Sequence, residues 1–403
     1  MRGMLADIRV IEVASWMLAP SACAILAEWG ADVIKIEDPV RGDPQRGLVT
    51  GLAGSADTSN FMVELPNRGK RSAAIDIATS DGLELLYRLI ESADVFVTNH
   101  LPAIRKRLGI DVDEVRARNP RIIYACASAH GPLGDEADRG GFDSATYWSR
   151  AGLAATLQLP GEDWPPAPRP GIGDMMGGLA LAGGISTALL HRERTGDGNV
   201  VDVSLLSLGL WQLSADVTAA KLGGDEPPPV FDRDALPNPL VGTYRTRDGR
   251  FIQLMMMQSD RYWNEFCRFA LCLDLADDPR FCDAGARFAN SRECTRLLRE
   301  LFAARSLDEW RVLFAGFGGI WAPLNLAREV HDDPQVVANG YIQTIQTMRG
   351  AALDVPANPI RFDQNPPSVS GAPEHGQHTE EVLMDLGLSF EEILKHKAKG
   401  TLL

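Results

Sequence analysis

Cysteine is scarce in this chain, and no pattern gives the cysteines that are present a structural task. Six cysteines occur among 403 residues, with no C-x-x-C pair and no zinc-ligand spacing with the seven histidines. We therefore expect reduced thiols and no metal site, as in a cytoplasmic protein. A secretory leader pattern is missing at the start, as is any run of 18 apolar residues, so we expect no membrane partner.

Basic residues are also in short supply. Lysine and arginine total 40 against 54 aspartates and glutamates, which gives a formal net charge of −14. Such an acidic chain is poorly suited to nucleic acid or to an anionic membrane surface, and we expect neither as a partner. An anionic small molecule would need a local patch of cations.

Strand and helix patterns alternate through the first two hundred residues. A β-rich run at Ile8–Ala14, a helix at Pro20–Trp29 and a strand at Val33–Glu37 form a βαβ unit, which joins parallel strands by a right-handed crossover. The alternation continues with strands at 73–77, 95–97 and 122–125 and a helix at 81–92. The sequence predicts an α/β fold, with a doubly wound, Rossmann-like parallel sheet in a large domain of residues 1–200.

The dinucleotide fingerprint of many such folds is missing. The turn after the first strand reads Ser15-Trp16-Met17-Leu18-Ala19-Pro20 and holds no G-x-G-x-x-G motif. Glu37, at the end of the second strand, has the position of a ribose-binding acid. Without the glycine turn we expect it to be structural, and NAD is not a predicted ligand.

A proline-rich segment interrupts this pattern. The run Leu222–Pro229 is rich in Gly and Pro, and we assign residues 201–232 to a linker. Beyond it, Asp248-Gly249 separates two β-rich runs and predicts a hairpin. Helical patterns follow, so we expect residues 233–325 to form a smaller α+β domain.

The acidic residue Asp174 stands among glycines at the beginning of a long helical pattern. Its surroundings read Pro170-Gly171-Ile172-Gly173-Asp174-Met175-Met176-Gly177-Gly178. An Asp before a helix is a favoured N-cap. Flanking glycines allow close approach of another group, and a helix N-terminus can hold an anion. Asp174 is therefore either a helix cap or a nucleophile.

Several motifs in order along the chain resemble the family III CoA-transferases. They are Ile8–Ala14, Trp29–Glu37, Gly42-Asp43-Pro44 with Arg46, Asn67–Ser72, Asn119–Tyr124, Gly141-Phe142-Asp143, His191–Gly198, Asp332–Val336 and Gly376–Thr379. The resemblance implies that Asp174 is the catalytic nucleophile and that coenzyme A thioesters are substrates. It implies no permanently bound cofactor and no metal. It also implies an interlocked homodimer and a return of the chain, over residues 326–403, to complete the large domain.

Coenzyme A is anionic, so its site requires cations and hydrogen-bond donors. By resemblance Asn99 and Arg107 match coenzyme A contacts of the family, and Lys70 lies in a loop that flanks the nucleotide. Arg71 and Arg46 complete the predicted set. The family's formyl-CoA transferases have Arg where this chain has Asp38, so the phosphate contacts must differ.

The remaining predicted site residues surround Asp174. Backbone N–H groups at Gly177 and Gly178 are candidate oxyanion donors, and Trp16 and Met17 lie in the turn that faces the thioester in the family. The aromatic residues Phe142, Tyr147 and Trp148 are candidates for lining a bulky, apolar acyl pocket.

Three other functions remain open. The α-methylacyl-CoA racemases of the same superfamily carry a Gly-His-Asp triplet, whereas this chain has Gly141-Phe142-Asp143, and Phe142 cannot transfer a proton. An isomerase that transfers coenzyme A within one dicarboxylate would keep Asp174. A non-catalytic acyl-CoA binding protein would have no need of Asp174 and its glycines.

Overall fold

The protein is described here from a computed structural model. The structure describes residues 3–48, 60–159, 161–222, 232–365 and 369–403. The chain divides into two compact units, one of Met1–Glu226 with Val337–Leu403 and one of Pro227–Val336. Each unit is considered by itself.

A parallel sheet of six strands organises the first unit. Its strands, in chain order, are β1 (Arg9–Val13), β2 (Asp32–Glu37), β3 (Arg71–Ala74), β4 (Val95–Thr98), β5 (Ile123–Ser128) and β6 (Val200–Ser204). Their order across the sheet is β3-β2-β1-β4-β5-β6, and every pairing is parallel. This confirms the predicted doubly wound sheet. The strand order reverses between β1 and β4, where such folds form crevices at the carboxyl ends of the strands.

The first unit also contains nine helices between Leu18 and Leu222, counted over the described residues. They are α1 (Leu18–Glu28), α2 (Phe61–Asn67), α3 (Ser80–Glu91), α4 (Pro102–Leu108), α5 (Val112–Arg118), α6 (Leu153–Thr156), α7 (Ile172–Thr195), α8 (Leu205–Gln212) and α9 (Ser214–Leu222). A one-turn π-helix precedes α6 at Ser144–Arg150. Local signals set several boundaries: Thr79 caps α3 through the Gly82 N–H, and Gly109 ends α4 with φ 67°.

The two faces of the sheet have separate cores. Val10 of β1 packs in a core with residues of α1 and α7, whereas the next residue, Ile11, packs in a core with residues of α3 and α5. This follows from the alternation of side chains along a strand. Both faces are covered, as a parallel sheet requires.

Helix α7 is the longest element of this unit. Within the described residues, it is the helix whose length and composition would suit a membrane span. Its buried side, which includes Leu181, Ala182 and Ile185, packs in the core with α1. The apolar composition of α7 is therefore explained by burial against the sheet.

The second unit combines a small sheet with helices. Strands β7 (Val241–Arg245), β8 (Phe251–Met255) and β9 (Trp321–Pro323) form an antiparallel sheet in that order. The helices are α10 (Ser259–Phe269), α11 (Leu273–Ala276), α12 (Ala284–Ala289), α13 (Ser291–Ala303) and α14 (Leu307–Leu313). The β7–β8 hairpin turns at Gly249, with φ 75°, as the Asp-Gly pair predicts. Aromatic side chains such as Phe266 and Phe302 form its core.

The last segment of the chain contains α15 (Pro334–Asn339), β10 (Ile342–Gln346), β11 (Ala352–Pro356), α16 (Thr379–Asp385) and α17 (Phe390–Ala398). From Val337 onward it groups with the first unit. Val382 and Leu383 of α16 fill the core on the Ile11 face of the sheet.

The predicted linker needs a correction. Residues 201–222, assigned to it from the sequence, form most of β6 and all of α8 and α9. The reason is that the crossover through α7 requires a following parallel strand, and β6 supplies it next to β5. The rest of the predicted linker, residues 223–231, lies outside the described residues.

Candidate active site

Asp174 lies in the first turn of α7 and does not cap that helix. The N-cap residue is Gly171, in the left-handed conformation with φ 70°, and Asp174 is the third helical residue. No described residue donates a hydrogen bond to its partly buried carboxylate. The carboxylate is therefore not occupied by a structural contact.

Burial and a second acid change the ionisation of Asp174. Burial raises its pKa from an ordinary value of 3.8 to about 7, and the negative charge of Asp143 contributes in the same direction. Asp143 is itself buried, and one of its carboxylate oxygens accepts from the Gly173 N–H at 3.4 Å. A poorly solvated carboxylate whose pKa lies near neutral pH is a candidate catalytic group.

Asp143 belongs to the candidate site, although the sequence alone indicates no role for it. It is the last residue of the Gly141-Phe142-Asp143 motif. The motif was the available signal, while the proximity to Asp174, 31 residues later in the chain, appears only in the fold.

The turn between β1 and α1 packs against the beginning of α7. A Cβ atom added to Gly171 would lie 2.7 Å from Cε of Met17, so these two residues are in close contact. Trp16, the preceding residue, has a left-handed backbone with φ 68°. Its ring contacts Phe142 edge-to-face, with centroids 5.3 Å apart. The structure thus brings the predicted Trp16, Met17 and Phe142 to the end of α7 that carries Asp174.

The structure gives Gly177 and Gly178 a role different from the predicted one. A Cβ atom on Gly177 would lie 2.2 Å from Cδ1 of Leu18, and one on Gly178 would lie 2.5 Å from Cβ of Ser21. Both glycines permit close packing of α7 on α1. Their N–H groups fall beyond the first turn, where the helix itself provides the acceptors, so neither is available to an oxyanion.

The three predicted acyl-pocket aromatics separate into two environments. Phe142 is 58% exposed beside Trp16, whereas Tyr147 and Trp148 are buried in the core. Tyr147 supports the beginning of α7, because a Cβ atom on Gly173 would lie 2.6 Å from its Cγ. Trp148 donates its indole N–H to the Pro166 carbonyl at 3.2 Å. Of the three, Phe142 has the surface that a substrate could contact.

A cleft of about 250 Å³ opens at the carboxyl ends of the first four strands. It is lined by Val13–Ser15, Ile36–Asp38, Arg41–Asp43, Ile75–Ala78, His100, Ile104, Arg107 and Leu108. Arg107 is exposed and has no ion-pair partner in the described part of the chain. His100 is uncharged at neutral pH, since burial and then the nearby Lys35, Arg105 and Arg107 lower its pKa. The lining of the cleft therefore includes an available cation.

Three other predicted coenzyme A contacts, Lys70, Arg71 and Arg46, are engaged in ion pairs within the protein. Lys70 has no exposed side-chain surface, and its ammonium group pairs with Glu12. Arg71 pairs with Asp32, Glu381 and Asp385, and Arg46 pairs with Glu37 at 2.7 Å. Cations already satisfied by carboxylates are poorly suited to bind phosphate.

Asn99 is also engaged, but at a place that matters for the site. Its side-chain oxygen accepts from the Ser15 N–H at 3.0 Å, and its amide donates to the Ser15 carbonyl at 2.6 Å. Asn99 thus fixes the turn that carries Trp16. Counting only contacts with described residues, Arg107 is the one of the five predicted coenzyme A residues whose charged group makes no ion pair and lines the cleft.

Together the fold and the site define an α/β protein with a partly buried carboxylate at the start of α7 and a cleft at the strand ends. Comparisons with known proteins identify the class. Residues 5–379 match CoA-transferase family III, and the chain belongs to this family. This confirms the sequence prediction of an enzyme, a CoA-transferase of acyl-CoA metabolism.

Two relatives and one solved structure show the similarity along the whole chain. The chain is 30% identical to the (R)-2-hydroxy-4-methylpentanoate CoA-transferase of Clostridioides difficile over 396 residues, covering 98% of each chain. It is 27% identical to the cinnamoyl-CoA:phenyllactate CoA-transferase of Clostridium sporogenes, over 97% of this chain and 95% of the relative. A CAIB/BAIF family protein from Brucella suis superposes with a TM-score of 0.82 at 28% identity, covering 96% of this chain and 100% of the other.

Proposed function

We propose that Asp174 carries coenzyme A covalently during transfer from an acyl-CoA to a carboxylic acid. Its carboxylate attacks the thioester carbonyl, which forms a mixed anhydride and releases the coenzyme A thiolate. The thiolate then attacks the aspartyl carbonyl, so that the donor acid leaves and an aspartyl-CoA thioester remains. The acceptor carboxylate repeats both steps in reverse order and regenerates Asp174.

The surroundings of the Asp174 carboxylate support this proposal. A carboxylate without hydrogen bonds from the described residues, and with a pKa raised by burial, is more nucleophilic than a solvated one. The first turn of α7 also leaves backbone N–H groups without intrahelical acceptors. One of these groups, in place of Gly177 and Gly178, is the candidate donor to the oxyanion of the tetrahedral intermediate.

We assign the nucleotide part of coenzyme A to the cleft at the strand ends. Its position at the switch between β1 and β4 is where α/β sheets bind nucleotides. Arg107, which has no ion-pair partner among the described residues, is the candidate contact for a phosphate group. Arg41 also lines the cleft, but it already pairs with Asp38 at 3.3 Å.

An apolar acyl group fits the residues around Asp174. Trp16 and the exposed ring of Phe142 stand together at the beginning of α7. The named substrates of the two relatives, one branched and the other aromatic, have the same apolar character. We therefore propose a branched or aromatic acid as donor or acceptor.

A homodimer in the cytoplasm remains our proposal for the protein's assembly and location. Helices α8 and α9 expose apolar side chains, with Trp211 81% and Leu222 84% exposed in the single chain. Exposed apolar patches of this kind are typical of subunit interfaces. Light scattering on the wild type and on Trp211→Arg tests the proposal: a dimer that becomes a monomer supports this interface.

Mass spectrometry tests the covalent role of Asp174. After incubation with an acyl-CoA and rapid quenching, the peptide that contains Asp174 should carry coenzyme A, and Asp174→Ala should abolish both the adduct and turnover. Asp163→Ala, which changes an exposed aspartate, is the matched control and should retain both. Deuterium incorporation at the α-carbon without an adduct would instead indicate a racemase. Binding without either reaction would indicate a non-catalytic protein.

A further inference from the structure

The turn between β1 and α1 is fixed at successive backbone groups by side chains from other elements. Lys35 of β2 donates to the Ala14 carbonyl at 2.8 Å. Asn99 holds both the N–H and the carbonyl of Ser15. An ordinary loop of this length would leave these groups to solvent. Such complete anchoring indicates that the conformation of the turn matters.

Trp16 is the strained residue of this turn. Its φ of 68° lies in the left-handed region, which a bulky side chain rarely occupies. A strained residue persists only where the surrounding structure fixes it, and such residues cluster at functional sites. Here the unusual backbone places the indole ring edge-to-face on Phe142.

Asp43 supplies the contact that fixes Trp16. One of its carboxylate oxygens accepts from the Trp16 N–H at 3.3 Å and from the Gln45 N–H at 3.0 Å. The other oxygen pairs with the Lys35 ammonium at 2.9 Å, and Lys35 also pairs with Glu12 at 2.8 Å.

This ionic cluster has almost no contact with solvent. The side chains of Glu12, Lys35 and Asp43 are at most 1% exposed. Burying ions is costly, and apolar residues of similar size would often be at least as stable. The transfer reaction proposed above does not use these three groups as reactants. Their presence is therefore explained neither by a gain in stability nor by a direct part in the chemistry.

We propose that Asp43, held in place by Lys35, is a positioning residue that selects bulky acyl groups through Trp16. The inference rests on the proposed function, because Trp16 must line the acyl site. The Asp43 carboxylate keeps residue 16 left-handed, so the indole and Phe142 form a fixed apolar wall. A bulky acyl chain gains contact with that wall, whereas an acetyl group is too small to depend on it.

A double-mutant cycle tests the inference. The readout is the ratio of kcat/KM for 3-phenylpropanoyl-CoA to kcat/KM for acetyl-CoA, measured with one acceptor acid. Trp16→Ala should lower this ratio about tenfold, since losing apolar contact with a substrate group has an effect of that order. Asp43→Ala should lower it similarly, and the double variant should fall no further than either single variant. Asp163→Ala is the control and should keep the wild-type ratio.

Several outcomes would overturn the inference. A wild-type ratio in Asp43→Ala, additive losses in the double variant, or an unchanged ratio in Trp16→Ala would each do so. If Asp43→Ala does not fold, Asp43→Asn enters the same cycle, because it keeps the side-chain size and removes the ion pair with Lys35. Failure of the proposed function is recognisable separately, since no variant, and not even the wild type, would then transfer coenzyme A.

Discussion

Replacing Asp174 by Asn should stabilise the protein, and the gain should grow as the pH rises from 4 to 8. The folded-state pKa of Asp174 is about 7, against an ordinary value of 3.8. Between these two values the folded chain binds more protons than the unfolded chain. Stability therefore falls as the pH rises through this window, because a poorly solvated carboxylate must ionise. An amide at the same position does not ionise and avoids this loss.

The size of the effect follows from the pKa difference. About three pKa units at about 1.36 kcal/mol each give an upper bound of about 4 kcal/mol above pH 7. Asp174 is only partly buried, and solvent screening reduces the expected gain to about 2 to 3 kcal/mol. At pH 4 the carboxylic acid is protonated in the folded state and about 40% protonated in the unfolded state, so the two proteins should differ by only about 0.6 kcal/mol.

Thermal or denaturant unfolding at a series of pH values measures the gain. The wild type, Asp174→Asn and the surface control Asp163→Asn are compared at one protein concentration, because assembly also affects the midpoint. The stability difference for Asp174→Asn should appear between pH 4 and 8, and the control should show none. A difference that is constant with pH, or a variant less stable than wild type at pH 8, would refute the account of a desolvated carboxylate.

Three further predictions concern the site and the helix that carries it. Asp143→Asn removes a negative charge beside the Asp174 carboxylate, so the acidic limb of the profile of kcat/KM against pH should move to lower pH; an unmoved limb would contradict this. Arg107→Ala should raise KM for acyl-CoA about tenfold with kcat largely retained, through loss of a charge-assisted hydrogen bond. Its neighbour Lys106, which does not line the cleft, provides the control Lys106→Ala, and equal effects of both variants would remove Arg107 from the site. Gly178→Ala should lower the free energy of unfolding by about 1 to 3 kcal/mol, because the added Cβ lies 2.9 Å from a backbone nitrogen of α1. Gly183→Ala, where no atom lies within 4 Å, should instead stabilise α7 by about 0.5 to 1 kcal/mol, and a reversed order in chemical denaturation would show that the α1–α7 contact is misassigned.

The sheet could be predicted from the sequence because its signals are local. The β1–α1–β2 unit lies within 29 residues, and its alternating apolar pattern agrees with burial on both faces. The error at residues 201–222 has a related cause. The valines of β6 do favour a strand, but its pairing with β5, in which Val200 lies beside Tyr124, joins residues far apart in the chain and leaves no local signal.

The binding cations could not be predicted in the same way. Whether a cation is free depends on partners that are distant in sequence: Lys70 pairs with Glu12, and Arg71 pairs with Asp385 in the last segment. Sequence spacing says nothing about such pairs. Similarly, a glycine that lets two helices touch and a glycine that admits a substrate look the same in a sequence, so the packing role of Gly177 and Gly178 could not be told from an oxyanion role.

Oxygen exchange into Asp174 tests the central claim most directly. In the proposed sequence the donor acid leaves with one oxygen of Asp174, and the acceptor acid leaves one of its own oxygens behind. With an acceptor labelled by ¹⁸O in both carboxylate oxygens, the Asp174 peptide should gain about 2 Da in a single turnover, while labelled water should leave it unchanged. Transfer of coenzyme A that proceeds with no label in Asp174 would contradict the account.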